Sequence, residues 1–164
     1  MSTVLVTGGA GSMGRLVCGR LTDDGHSVRA FDLASVDFSG LPEGVVAVPG
    51  DLTSAHDVAA AVAGVDAVVH LAAILPPVAD QRTELAQCVN VDGTQIVVDV
   101  MKSRAPEARL VFSSSVSVYG TPDSGAEITT SQSYNPDDNY AKTKAESEQI
   151  VARSGLDSVV LRIS

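Results

Sequence analysis

The chain of 164 residues, 45% hydrophobic and 19% charged, suits one folded domain with a substantial core and is too short for two of ordinary size. A net charge of -9 leaves no basic stripe for nucleic acid, and no apolar run approaches the roughly 20 residues that a membrane span needs. Cys18 and Cys88 lack CxxC spacing and are expected to be buried free thiols, and no His/Cys/Asp cluster has metal-ligand spacing, so no metal is expected.

The N-terminus runs from MST straight into VLVTGG, without the charged, apolar and cleavage regions of a secretory leader, and a cytoplasmic location is expected. From there TVLVTG, SVRAFDL, VVAVPGD, VDAVVHLAA, RLVFSSS and SVVLRI read as six strands. Helical periodicity fills the gaps at about Met13 to Asp24, Ala55 to Ala63, Asp80 to Ser103 and Asn139 to Arg153. Gly25, Gly64 and Gly155 stand where helices should end. Strands alternating with helices predict an α/β fold, a doubly wound parallel sheet of order 3-2-1-4-5-6. Its ligand crevice then lies at the carboxyl ends of the first and fourth strands. Gly120 to Asp138, rich in Pro, Gly, Ser and Asp, reads as a long loop over that crevice.

The first strand runs into TGGAGSMG. Gly8, Gly11 and Gly14 keep a G-x-x-G-x-x-G spacing, which permits a tight turn, close approach of backbone to a pyrophosphate and tight packing of helix on strand. The helix starting near Met13 aims its free N–H groups at the phosphates. A purely structural turn would show the same glycines, but their place between strand and helix points to a Rossmann dinucleotide site. Asp32 closes the second strand, where a carboxylate accepts both hydroxyls of the adenosine ribose and repels a phosphate there, so NAD is favoured over NADP. Arg15 is the residue that would soften that preference, and a turn role for Asp32 is the alternative.

Asp51 follows the third strand, equally suited to a turn and to a ligand contact, with Ser54 placed to cap the next helix. After the fourth strand, small Ala72 and Ala73 leave room for a dinucleotide, and His70 reads as a satisfied core histidine. Near the end, DDNYAKTKAESEQ sets Tyr140 and Lys144 four residues apart on one helical face. By itself that pair is either a reaction centre or the decoration of a solvated helix.

Gly8, Gly11 and Gly14, Asp32, GDL, HLAA, NVDGT, SSSVSVYG and YAKTK occur in an order and spacing that resembles the extended short-chain dehydrogenase/reductase family, the NAD-dependent sugar epimerases and dehydratases, over essentially the whole chain. The resemblance implies NAD as cofactor, held by the glycine turn with Ser12 and Met13, by Asp51 and Leu52 at the adenine, and by Leu71, Ala72 and Ala73 along the cleft. It places Asn90 at a break in the long fourth helix and counts Asn90, Ser113, Tyr140 and Lys144 among the cofactor-binding residues, Ser113 and Ser114 being read as hydrogen-bonders at the strand end. It assigns catalysis to Ser115, Tyr140 and Lys144. Ser12 stands where the family usually has an apolar residue, and the chain ends at the sixth strand where family members continue into a substrate domain.

The chemistry implied is hydride transfer from a carbinol carbon of a sugar or nucleotide sugar, with Tyr140 as base, Ser115 on the same oxygen and Lys144 on the nicotinamide ribose. A phenol of ordinary pKa is only about one part in a thousand ionised at pH 7, so Lys144 together with oxidised nicotinamide is expected to lower it. Val116 and Ser117 replace the Asp-Glu pair of the 4,6-dehydratases, which leaves epimerase or dehydrogenase. A non-catalytic or truncated NAD-binding module, or part of a longer chain, is the rival reading. The resemblance also implies a homodimer through the TQIVVDVM and Tyr140 helices, although Ile96, Val97, Val100 and Met101 are equally able to pack inward.

Overall fold

A computed structural model describes residues 1–121 and 127–164; the middle of the loop expected over Gly120 to Asp138 lies outside them. The described residues form β1 (Thr3–Thr7), α1 (Ser12–Asp23), β2 (Ser27–Asp32), β3 (Val46–Pro49), α2 (Ala55–Ala61), β4 (Ala67–His70), α3 (Val78–Gln81), α4 (Thr83–Ala86), α5 (Gly93–Arg104), β5 (Arg109–Ser115), α6 (Asn139–Arg153) and β6 (Ser158–Ile163). A π-helical turn, Gln87–Asp92, leads into α5, and a 3-10 turn, Val116–Tyr119, follows β5.

All six strands are parallel in the order β3-β2-β1-β4-β5-β6, as the alternation of elements predicts. Side chains of period two divide the core. Val4, Val6, Val28 and Ala30 point to one face, where Cys18 of α1 meets them. Leu5, Phe31, Val68, Leu110 and Phe112 point to the other, against α2, α5 and Val151 of α6. Burial of each large aliphatic or aromatic group stabilises the fold by about 1.5–3 kcal/mol before entropy is counted. At the far edge, Val160 packs on that core while Val159, Leu161 and Ile163 of β6 remain exposed. Gly25, Gly64 and Gly155 take positive φ at the ends of α1, α2 and α6, as expected of helix stops.

Two expectations are corrected. The helix predicted over Asp80 to Ser103 has an unexpected interruption at Arg82, at φ -127° and ψ 67°, between α3 and α4, while the π turn between α4 and α5 holds Asn90, where the resemblance places a break. Cys18 is buried, but Cys88 is exposed, because the widened turn carries Asn90 and Val91 inward and leaves Cys88 outside. Val97, Val100 and Met101 are buried in the core and Ile96 packs against it. The outward groove between α5 and α6 is instead lined by Gln95, Asp99, Lys102, Glu146 and Arg153.

Candidate functional site

The carboxyl edge of the sheet opens into a cleft of about 550 Å³ between the glycine turn and the segment after β4. Gly8, Gly11, Ser12, Met13 and Gly14 form one wall, Asp32, Asp51 and Leu52 the adjoining edge, and Leu71, Ala72 and Ala73 the floor. Sequence reasoning missed the apolar half of the lining, Phe31, Ile74, Leu75, Leu85 and Val89, together with Cys88. A cleft of this volume with apolar walls and few polar groups is of ordinary ligand-binding form.

Its residues fit a dinucleotide. Gly8 has φ +69°, and a Cβ there would sit 2.9 Å from the Ala72 nitrogen; at Gly14 it would sit 2.1 Å from the Gly8 oxygen. Backbone therefore lies where side chains cannot, and a side chain at either position would not fit. The N-cap of α1 is Gly11, with no side-chain cap, so the amides of the first helical turn are open to an anion. Asp32 is held at the lip by the amides of Ala10, at 3.1 Å, and Leu33, at 2.9 Å, with lone pairs left on both oxygens. Arg15 does not face it as a free cation: Nε donates to the Ala10 carbonyl at 2.7 Å and a terminal nitrogen to that of Asp37 at 2.5 Å. Asp51 closes its own turn, Oδ1 accepting from the Thr53 amide and hydroxyl at 2.8 Å each, and Ser54 caps α2.

Asn90, Ser113, Ser115, Tyr140 and Lys144 do not line this cleft. Asn90 is joined to its wall: Oδ1 accepts from the Ile74 amide at 2.7 Å, while Nδ2 donates to the Ile74 carbonyl and to Thr143 of α6, both at 3.0 Å. Helix α6 starts at Asp138, whose carboxylate caps the Ala141 amide, and the Tyr140 amide donates to Asp80 at 3.3 Å. One turn after Tyr140, Lys144 reaches the carboxyl end of β5.

Lys144 is 3% exposed; its Nζ donates to the Ser113 carbonyl at 2.7 Å and lies 4.7 Å from the Phe112 ring centre and 5.9 Å from that of Tyr140. Burial, partly offset by the charge of Glu148, lowers its pKa to about 8. Tyr140 is half-buried, and its phenol is pushed above the ordinary range by burial and by the Asp138 carboxylate. In the protein alone nothing lowers the phenol, with the Lys144 ammonium 5.9 Å from the ring centre; the lowering expected of Lys144 together with oxidised nicotinamide belongs to the cofactor-bound protein.

Ser115 accepts from the Ser117 amide at 3.1 Å and hydroxyl at 2.9 Å, starting the 3-10 turn with its own proton left to donate. That turn packs Val118 and Tyr119 on Ala145 of α6, beside Lys144. Behind it lies a charged cluster that no local motif marks. Arg162 of β6 grips both oxygens of Glu148, Ser114 donates to the same carboxylate, and Tyr134 donates to it at 2.9 Å.

A match to the Epimerase family, described as the NAD dependent epimerase/dehydratase family, spans residues 4–164. Among curated proteins, the 3 beta-hydroxysteroid dehydrogenase/Delta 5-->4-isomerase of Mycobacterium tuberculosis is 36% identical over 168 residues, covering 98% of this chain and 45% of that protein. The UDP-glucose 4-epimerase of Azospirillum brasilense is 34% identical over 173 residues, covering 97% and 47%. Of solved structures, the UDP-glucose 4-epimerase of Thermus thermophilus in complex with NAD superposes with a TM-score of 0.88 at 28% identity, over 98% of this chain and 54% of that one. A short-chain dehydrogenase/reductase superfamily protein of Agrobacterium tumefaciens with bound NAD does so at 0.82 and 34% identity, over 98% and 48%. The chain spans about half the length of these relatives.

Proposed function

The chain belongs to the NAD-dependent epimerase/dehydratase family, and from that premise we propose that it binds NAD in the glycine-walled cleft and removes the proton of a ring alcohol with Tyr140. The observation that carries the proposal is the buried Lys144 ammonium, fixed on the Ser113 carbonyl one turn from Tyr140 with two further N–H groups to give. NAD bound there would supply the hydride acceptor and, when oxidised, a positive charge. Tyr140 takes the hydroxyl proton once that charge and Lys144 together bring the phenol down from its raised value. Ser115 donates its remaining proton to the same oxygen and stabilises the charge growing there. Asp32, with its spare lone pairs, holds the adenosine ribose and sets NAD above NADP.

Cys88 offers a direct check of the cofactor's place, since it is exposed on the cleft lining while Cys18 is buried. Alkylation of Cys88 by N-ethylmaleimide is expected to slow at least about tenfold with saturating NAD, with Cys18 unreactive throughout, as read by mass spectrometry. An unchanged rate would place the cofactor elsewhere.

The substrate proposed is a sugar or nucleotide sugar, in line with the epimerases among the relatives. A second reading, an apolar sterol alcohol, is favoured by exposed Leu75 and Val78 on the stretch between the cleft and Asp80, which holds the Tyr140 amide. Assays of NADH formation and of product interconversion with UDP-glucose, UDP-galactose and a 3 beta-hydroxysteroid decide between them. Turnover by neither class removes both readings. A homodimer through the outer faces of α5 and α6 is part of the same proposal.

A further inference from the structure

Five buried side chains between the cleft and α6 carry hydroxyl, imidazole or amide groups: Thr7, His70, Asn90, Thr94 and Thr143, each 1–2% exposed. Hydrogen bonds join them. The Ala72 amide donates to Thr7 Oγ1 at 3.2 Å, and Thr7 Oγ1 meets His70 Nδ1 at 2.6 Å. His70 Nε2 meets Thr94 Oγ1 at 3.0 Å, and Thr94 donates to the Asn90 carbonyl at 2.6 Å. The Asn90 side chain then donates to Thr143 Oγ1 at 3.0 Å, and Thr143 to the Tyr140 carbonyl at 2.8 Å.

Counting protons fixes their direction. Thr94 has one hydroxyl proton, committed to Asn90, so the proton between it and His70 belongs to Nε2. Nδ1 is then the acceptor, and the Thr7 proton points to it, leaving the Thr7 oxygen for the Ala72 amide. The opposite tautomer would send two donors to Thr7 Oγ1 and leave its own proton buried without an acceptor. Burial, reinforced by the positive charge of Lys144, lowers the His70 pKa to about 3, which keeps the ring neutral. A second link runs through packing: the Phe112 ring lies 5.6 Å from His70 and carries the Lys144 ammonium on its other contact.

We propose that His70 is a positioning residue whose neutral Nε2–H tautomer joins the cleft floor to the first turn of α6, so that Tyr140 is registered against the glycine turn through a buried path of hydrogen bonds that passes through the Asn90 residue itself. The consequence for turnover rests on the reading of Tyr140 as the base; the chain itself does not. Both ends are close to the parts they would register, since Ala72 nearly touches Gly8 and Thr143 bonds Tyr140 itself. Because each member has few spare donors or acceptors, loss of one leaves its neighbours unpaired in a dry core.

Two measurements test it. In the protein labelled with nitrogen-15 histidine, with signals sorted by His26→Gln and His56→Gln, His70 should show the Nε2–H tautomer and no change between pH 5 and 9. Protonation in that range, or the Nδ1–H form, overturns the proposal without reference to activity. In Thr94→Val, which keeps shape and removes the hydroxyl, amide exchange in the first turn of α6 should accelerate at least about tenfold while α2 is unchanged. The same variant should lose about tenfold in kcat with Kd for NAD within about threefold, and Thr94→Ser should restore both. Unchanged exchange in Thr94→Val, or failure of serine to rescue, overturns the chain as a positioning device. Should the unaltered protein turn nothing over, the catalytic reading fails while the tautomer and exchange results still judge the chain.

Discussion

Tyr140→Phe is expected to lower kcat by about a thousandfold while Kd for NAD changes by less than about threefold. The magnitude follows from the typical contribution of a positioned acid or base, about 10²–10⁴ in rate. The selectivity follows from where the hydroxyl sits: Tyr140 is not part of the cleft wall, and its ring stays in place because its backbone is held by Asp80 and Thr143. The pH profile gives a second readout. The protein alone raises the phenol above its ordinary value, so any catalytic pKa below that value must come from the charge that NAD and Lys144 add. The kcat profile should therefore rise with pH through a lowered tyrosine value, and removing the ammonium in Lys144→Met should move it upward. A Tyr140→Phe protein retaining even a tenth of the activity would place the base on another residue.

The sheet was legible because each strand is short and apolar and each is bounded by turn residues, so handedness of the crossovers left one order. The glycine wall was legible for a related reason: Gly8 and Gly14 are needed where backbone itself fills the space a Cβ would take. The break of the fourth helix at Asn90 was legible through the family resemblance but not from periodicity, because what breaks the helix is tertiary. The Asn90 carbonyl accepts hydroxyls from Thr94 and from Ser147 of another helix, and the Asn90 side chain satisfies Ile74, none of which a periodicity contains. His70 was legible as a satisfied core residue but not as a link, since its partners stand 63 and 24 residues away. The raised phenol escaped for a physical reason too. Spacing shows that a cation is one turn away, but the desolvation that opposes it depends on what covers the ring.

Glu148→Ala is expected to cost about 3 kcal/mol of stability, because it leaves the part-buried Arg162 guanidinium without its counter-charge, with only the Thr130 carbonyl and the Tyr119 and Tyr134 hydroxyls as partners. For a chain of this size that amounts to a melting temperature lower by roughly 10 °C. Glu148 is 3% exposed and receives both prongs of Arg162 as well as the Ser114 and Tyr134 hydroxyls. Burial pushes its carboxyl up, and hydrogen bonds from Arg162, Ser114 and Tyr134 outweigh that push, holding it below the ordinary range. A carboxyl so depressed contributes stability that is complete above the ordinary glutamate value of about 4.3 and is lost as pH falls through the lower folded value. The stability of the unaltered protein should fall over that acid window by more than that of the variant. Since removing both partners leaves no charge stranded, Glu148→Leu combined with Arg162→Met should recover much of the loss. Activity adds a discriminating term: Ser114 stands between Ser113, which anchors Lys144, and Ser115, so the alanine variant should lose turnover even at temperatures where it stays folded. A double variant no more stable than Glu148→Ala, or an alanine variant with full activity and unchanged melting, would reduce the cluster to surface charge.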